Sequence, residues 1–112
     1  MAHTHEVTVD DENCHGGVQL QEDPPRWAMW GEIDAAVRGR VADRVAEHLR
    51  ETGDEHLTVD LGEVTFLDSG GLRLLYAAAD AKPTPPVLVR VPGKIRDLLR
   101  ISGVDSMFVL QD

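Results

Sequence analysis

Ser69 is the hydroxyl whose neighbours best equip it for chemistry, because it stands in Asp68-Ser69-Gly70-Gly71 between a carboxylate and a pair of glycines. Three kinds of chemistry can be asked of it. A hydrolase nucleophile would need Gly-x-Ser-x-Gly, but the residue two before Ser69 is Leu67, and His48 and His56 stand at no spacing that implies a local base. A phosphate-binding loop would need Gly-x-x-x-x-Gly-Lys-Ser/Thr, which is absent. The third possibility makes the serine a substrate. A helix N-terminus offers unpaired amide hydrogens and the positive end of the helix dipole, so it tolerates an added phosphoryl group. That group would bring about −1.5 to −2 charges beside Asp68, enough to repel an acidic partner. The structural alternative is a plain N-cap or first-turn serine, with glycines allowing a close turn.

The elements that must position this serine are legible on both sides of it. Leu57-Thr58-Val59-Asp60-Leu61 alternates apolar and polar side chains, the period of a half-buried strand. From Leu72 the apolar residues recur as Leu72, Leu75, Tyr76 and Ala79, which is one face of a helix. Ser69 therefore sits in a strand-turn-helix unit, at the helix mouth.

The remaining chain supplies more units of the same kind. Gly17 to Gln21 alternates like a strand, Glu22 to Pro25 is a turn, and Arg26 to Ile33 resumes extended structure, which together make a hairpin. Alternation puts Trp27 and Met29 on one face and Ala28 and Trp30 on the other, so at least one tryptophan is expected in the core. Ile33, Val37, Val41, Val45 and Leu49 then recur every four residues, an amphipathic helix capped by Asp34 and ended near Gly53. Lys82 to Pro86 must be a loop, since proline cannot continue a helix. Val87 to Val91 reads as a buried strand, Pro92 to Ile101 as a helix and Ser106 to Leu110 as a last strand. The predicted order, β-β-α-β-α-β-α-β, implies an α/β fold with a partly parallel sheet and crossover helices.

Composition excludes several functions. The 112 residues make one domain, and 20 acidic against 11 basic residues give a net charge of −9, which disfavours nucleic acid and anionic membranes. No apolar run approaches the ~20 residues of a spanning helix, and the start has no signal-peptide pattern, so a cytoplasmic protein is expected. The single Cys14 excludes an internal disulfide. Residues 1–16 read as a flexible acidic leader with at most a short strand at Val7 to Val9. His3, His5, Cys14 and His15 within it match no standard zinc spacing, so neither metal nor cofactor is expected.

Four segments between about Gly17 and Leu110 carry a family resemblance: Gly31-Glu32-Ile33-Asp34, Leu57 to Leu61, Val64-Thr65-Phe66-Leu67-Asp68-Ser69-Gly70-Gly71-Leu72, and Val91-Pro92-Gly93 leading to Ile101-Ser102-Gly103-Val104-Asp105. In these the sequence resembles the STAS domain family, and within it the stand-alone bacterial anti-sigma factor antagonists. The resemblance implies a STAS domain over residues 17–112, a mixed sheet with helices on one side, and no enzymatic activity. It implies that Ser69 is phosphorylated by a cognate anti-sigma factor with serine kinase activity. Asp34, Asp68, Gly70, Gly71 and Leu72 would join Ser69 at the partner surface. Unphosphorylated protein would bind the anti-sigma factor and free its sigma factor, phosphorylated protein would let go, and a phosphatase would reset it. Gly70 departs from the Ser, Thr or Ala frequent in the family, which removes a second acceptor and is expected to loosen the turn. The same fold could instead serve as a constitutive interaction or scaffold subunit of a transport or stress-signalling complex.

Overall fold

The computed structural model describes residues 4–8, as backbone, and residues 15–111. Its strands are β1 (Thr4–Thr8), β2 (Gly16–Glu22), β3 (Pro25–Ile33), β4 (Thr58–Leu67), β5 (Val87–Val89) and β6 (Val109–Gln111). The helices are α1 (Ala35–Thr52), α2 (Ser69–Ala81) and α3 (Gly93–Ile101). The strands form one sheet in sequence order, β1 to β6. β1, β2 and β3 pair antiparallel, and β3 through β6 pair parallel. Each parallel step requires a crossover, and crossovers of one hand between strands laid down in order put their helices on one face. This is the mixed sheet with helices on one side that the resemblance implied. β1 stands in front of the predicted order and runs from Thr4, where the sequence supported only Val7 to Val9. Val9, His3 and Cys14 lie outside the described residues, as does the His5 side chain, so the leader's metal-binding question lies there too.

The core lies between sheet and helices. Val18, Leu20, Trp27, Met29, Val59, Leu61 and Leu88 point from the sheet towards Val37, Val41 and Val45 of α1 and Leu72 and Leu75 of α2, all buried. Trp27 is the tryptophan that enters the core, while Trp30 is half-buried on the other face, as alternation required.

On that helix-free face Asp60 is only 7% exposed. It accepts bonds from Arg26 Nη2 at 2.8 Å, Arg90 Nε at 3.0 Å and the Gly62 amide at 2.9 Å. Burial would raise its pKa, but the Arg90 and Gly62 hydrogen bonds and the charges of Arg90 and Arg26 outweigh this and hold it below the ordinary aspartate value. Arg90 reaches Asp60 by adopting φ 54°, which ends β5 at Val89 rather than at the predicted Val91. The predicted last strand is also shortened. Asp105–Met107 makes a 3₁₀ turn, so that β6 enters register with β5 only at Val109, opposite Val87.

Candidate functional site

The parallel register of β3 and β4 creates the site. Ile33 is level with Leu67, so the next residues, Asp34 and Asp68, emerge side by side at the same end of the sheet. Both are extended and both cap a helix. Asp34 Oδ1 accepts the Val37 amide at 2.9 Å, and Asp68 Oδ1 accepts the amides of Gly70 at 2.7 Å and Gly71 at 3.4 Å. Short acceptor side chains suit this position because the first amides of a helix have no partner within it. The cap of α2 is therefore Asp68, and Ser69 is the first helical residue, exposed to solvent.

Gly70 and Gly71 have a different job from the one expected. A Cβ on Gly70 would lie 2.7 Å from the Cα and N of Ala35, and one on Gly71 would lie 2.7 Å from the Ile33 carbonyl oxygen. Gly70 serves close packing. It lets the first turn of α2 lie against the entry of α1, which brings Ser69 beside the Asp34 cap. Gly70, Gly71 and Leu72 are buried, so they shape the surface from beneath, and Asp34, Asp68 and Ser69 are what it presents.

Four residues at or near this mouth, His15, Phe66, Arg38 and Arg73, were given no role by the sequence. His15 Nε2 lies 2.9 Å from Asp34 Oδ2, so a residue assigned to the leader belongs to the site. The Val37 amide, foremost, and then the bond and charge of His15 overcome partial burial and lower the Asp34 pKa. Phe66, two residues before the cap, is 48% exposed at the same mouth. One turn inside the helices stand Arg38 on α1 and Arg73 on α2, cations on a surface that the sequence showed only as acidic. No signal along the chain marks His15, since the contact spans 19 residues, whereas Phe66 could have been found as an apolar residue breaking the strand's alternation.

Among the described residues no group of three or more His, Cys, Asp or Glu could hold a metal ion. Nor is any described helix long and apolar enough to cross a membrane. His48, one of the two histidines considered as a base for Ser69, is committed elsewhere: its Nδ1 accepts the Trp27 indole N–H at 3.1 Å within the core. His56 Nδ1 bonds Thr84 at 3.0 Å, at the other end of β4 from Ser69.

A family model described as Mlab, STAS domain, matches residues 17–111. Among solved structures, the unphosphorylated form of the anti-sigma factor antagonist SpoIIAA is similar, with a TM-score of 0.64 over 79% of this chain and 79% of that one. At 13% sequence identity this likeness is one of fold. No curated protein matches the sequence.

Proposed function

The chain belongs to the STAS domain family, and from that premise we propose that it is an anti-sigma factor antagonist switched by phosphorylation at Ser69. In the unphosphorylated state it binds an anti-sigma factor with serine kinase activity in the cytoplasm, and the sigma factor is released. The kinase transfers the γ-phosphoryl group of its own ATP to Ser69 Oγ, whose proton leaves to a base on the kinase. ATP belongs to that partner, so this chain needs no cofactor and is not an enzyme. A phosphatase restores the hydroxyl.

The observation that carries this reading is the exposure of Ser69 at the first position of α2, beside two aspartate caps. An exposed first-turn hydroxyl can enter another protein's active site without the helix unfolding, because the cap bonds are made by Asp68 rather than by Ser69. Once added, the phosphate's charge stands beside Asp68 and near Asp34, and an interface fitted to a neutral hydroxyl must part or pay heavily in repulsion.

Incubation with the purified kinase and labelled ATP tests the site. Label is expected on Ser69 and absent from Ser69→Ala, which keeps its binding to the kinase; label retained by that variant removes Ser69 as the acceptor. The matching family model carries the name Mlab rather than that of an anti-sigma factor antagonist, and this favours a second reading, a constitutive subunit of a larger complex. Purified native assemblies distinguish the two: a stable complex with a transport component, with no kinase and no phosphate on Ser69, supports the second.

A further inference from the structure

The outward seam between α1 and α2 is lined by small side chains, Ala42 and Ala46 from α1 and Ala77 from α2. Methyl groups leave the two helices unable to close over it, and a cavity of about 290 Å³ results. A second, of about 380 Å³, shares Ala46 and Leu49 with the first and carries the groove on to Gly53 and Ala81, where its one cation, Arg50, is matched by one carboxylate, Asp54. The groove thus runs the length of the helix pair.

Its other end holds Arg38 and Arg73. Arg73 follows Ser69 by one helical turn and Arg38 follows Asp34 by one turn, so both stand just inside the paired helix mouths. Neither side chain makes an ion pair or hydrogen bond with another described residue, whereas Arg26, Arg90 and Arg100 are all bonded to aspartates. Asp43 is the one carboxylate lining this part of the groove, against two guanidiniums. In a chain of net charge −9 a local excess of positive charge is a departure that a ligand's charge would explain.

We propose that this groove docks an apolar segment of a partner protein that carries a carboxylate for Arg38 and Arg73. The alanine floor accepts the segment's apolar side chains, and the two guanidiniums fix its direction along the groove through charge-assisted hydrogen bonds. The same geometry supplies a way for the Ser69 signal to reach the groove. A phosphate on Ser69 lies one turn from Arg73 on the same helix face, competes as an intramolecular anion for that guanidinium, and takes it from the partner's carboxylate. This coupling rests on the phosphorylation reading, while the docking does not.

A random library of short peptides selected on the immobilised full chain tests both parts. Enriched peptides should combine Glu or Asp with Leu, Ile or Phe, and should bind Arg38→Glu/Arg73→Glu about tenfold more weakly or worse. They should bind Arg44→Glu, an exposed α1 arginine outside the groove, as they bind the wild type. Failure to enrich any sequence, enrichment of basic peptides, or equal loss in Arg44→Glu overturns the docking proposal. Ser69→Asp should weaken the selected peptides several-fold when Arg73 is present and leave them unchanged in Arg73→Ala. Loss on reversing the arginines without any effect of Ser69→Asp overturns the coupling while leaving the docking groove in place, and the Ser69 switch itself stands or falls with the kinase labelling of Ser69.

Discussion

The two ends of the α1–α2 layer are closed in opposite ways. At the strand C-terminal end, Asp34 and Asp68 accept the leading amides of the helices while Ser69 stays exposed. At the far end, Lys82 turns inward and its Nζ donates to the Gly53 carbonyl and to Thr52 Oγ1, each at 2.7 Å. Thr52 Oγ1 in turn donates to the His48 carbonyl at 2.9 Å. The ring of that histidine accepts from Trp27 and bonds the Gln21 carbonyl at 2.6 Å. The Trp27 indole can only donate, so His48 carries its proton on Nε2 and donates it to Gln21. His48, Thr52 and Lys82 are 2%, 3% and 6% exposed, and none of the described residues leaves a buried side-chain polar atom unpartnered. Both ends obey the helix dipole, carboxylates at the N-termini and an ammonium at the C-terminus. They differ in what remains on offer: the far end spends its polar groups on itself, and the mouth keeps a hydroxyl and carboxylate edges facing outward.

If that contrast holds, substitutions at the far end cost stability and spare binding, and those at the mouth do the reverse. The largest effect should come from His48→Leu, which strands the Trp27 indole N–H and the Gln21 carbonyl. Each orphaned group costs about 1–3 kcal/mol, so the loss should be about 3 kcal/mol in urea unfolding, with kinase affinity unchanged once the variant is folded. A loss below about 0.5 kcal/mol, the range of an ordinary surface substitution, would dissolve the distinction between the ends.

Gly70→Ala is the substitution that should breach the contrast, because it sits at the mouth yet packs against backbone. The added methyl must push α2 from the entry of α1, since the atoms it meets belong to Ala35's main chain. Overpacking of this kind costs about 1–3 kcal/mol, and the same displacement shifts Ser69 relative to Asp34. Stability and the rate of Ser69 labelling should therefore fall together, and a change in only one of them would show that the helix approach does not set the site.

These cases also show what the chain reveals in one dimension. The Asp34 cap and the helix faces are local, resting on residues within four of one another, and they read correctly from the sequence. Asp34 and Asp68 could be paired only through the resemblance, because their adjacency depends on parallel register between β3 and β4. His15 on Asp34, Trp27 on His48 and Lys82 on Gly53 are contacts across 19, 21 and 29 residues. Nothing in local spacing distinguishes such a lysine from the first residue of a proline loop, which is how Lys82 reads. Arg38 and Arg73 likewise look like solvated helix positions until the two helices are laid side by side.

At the mouth itself, Asp34→Asn should separate two functions of one carboxylate. Asparagine caps nearly as well as aspartate, and only loss of the cap altogether costs ~1 kcal/mol, so unfolding at neutral pH should move by no more than a few tenths. The charge and its bond to His15 change, however, and kinase binding should change with them. Equal affinity of Asp34→Asn and wild type would reduce Asp34 to a capping residue.

The smallest effect is a difference in sign between the two ends on titration. Asp34 has a folded pKa below 3.8, because the Val37 amide and then His15 favour its ionised form. As pH falls past 3.8 the unfolded chain takes up its proton first, so this stabilisation is present above that pH and is lost as pH drops through the folded value. Asp60 contributes in the same direction. Lys82 has a folded pKa below 10.5, since burial disfavours the ammonium more than the charges of Glu55 and Asp54 favour it. Between its folded pKa and 10.5 the unfolded chain binds the extra proton, so the Lys82 contribution rises with pH across that window. Comparing each variant with wild type isolates the two slopes from the rest of the titration. Asp34→Asn should lose less stability than wild type below pH 3.8, and Lys82→Met should lack the gain that wild type makes on the approach to pH 10.5. Urea midpoints at stepped pH read both. A Lys82→Met curve parallel to wild type at alkaline pH would mean that the ammonium is as well solvated as in the unfolded chain, and the far end would then be no more closed than the mouth.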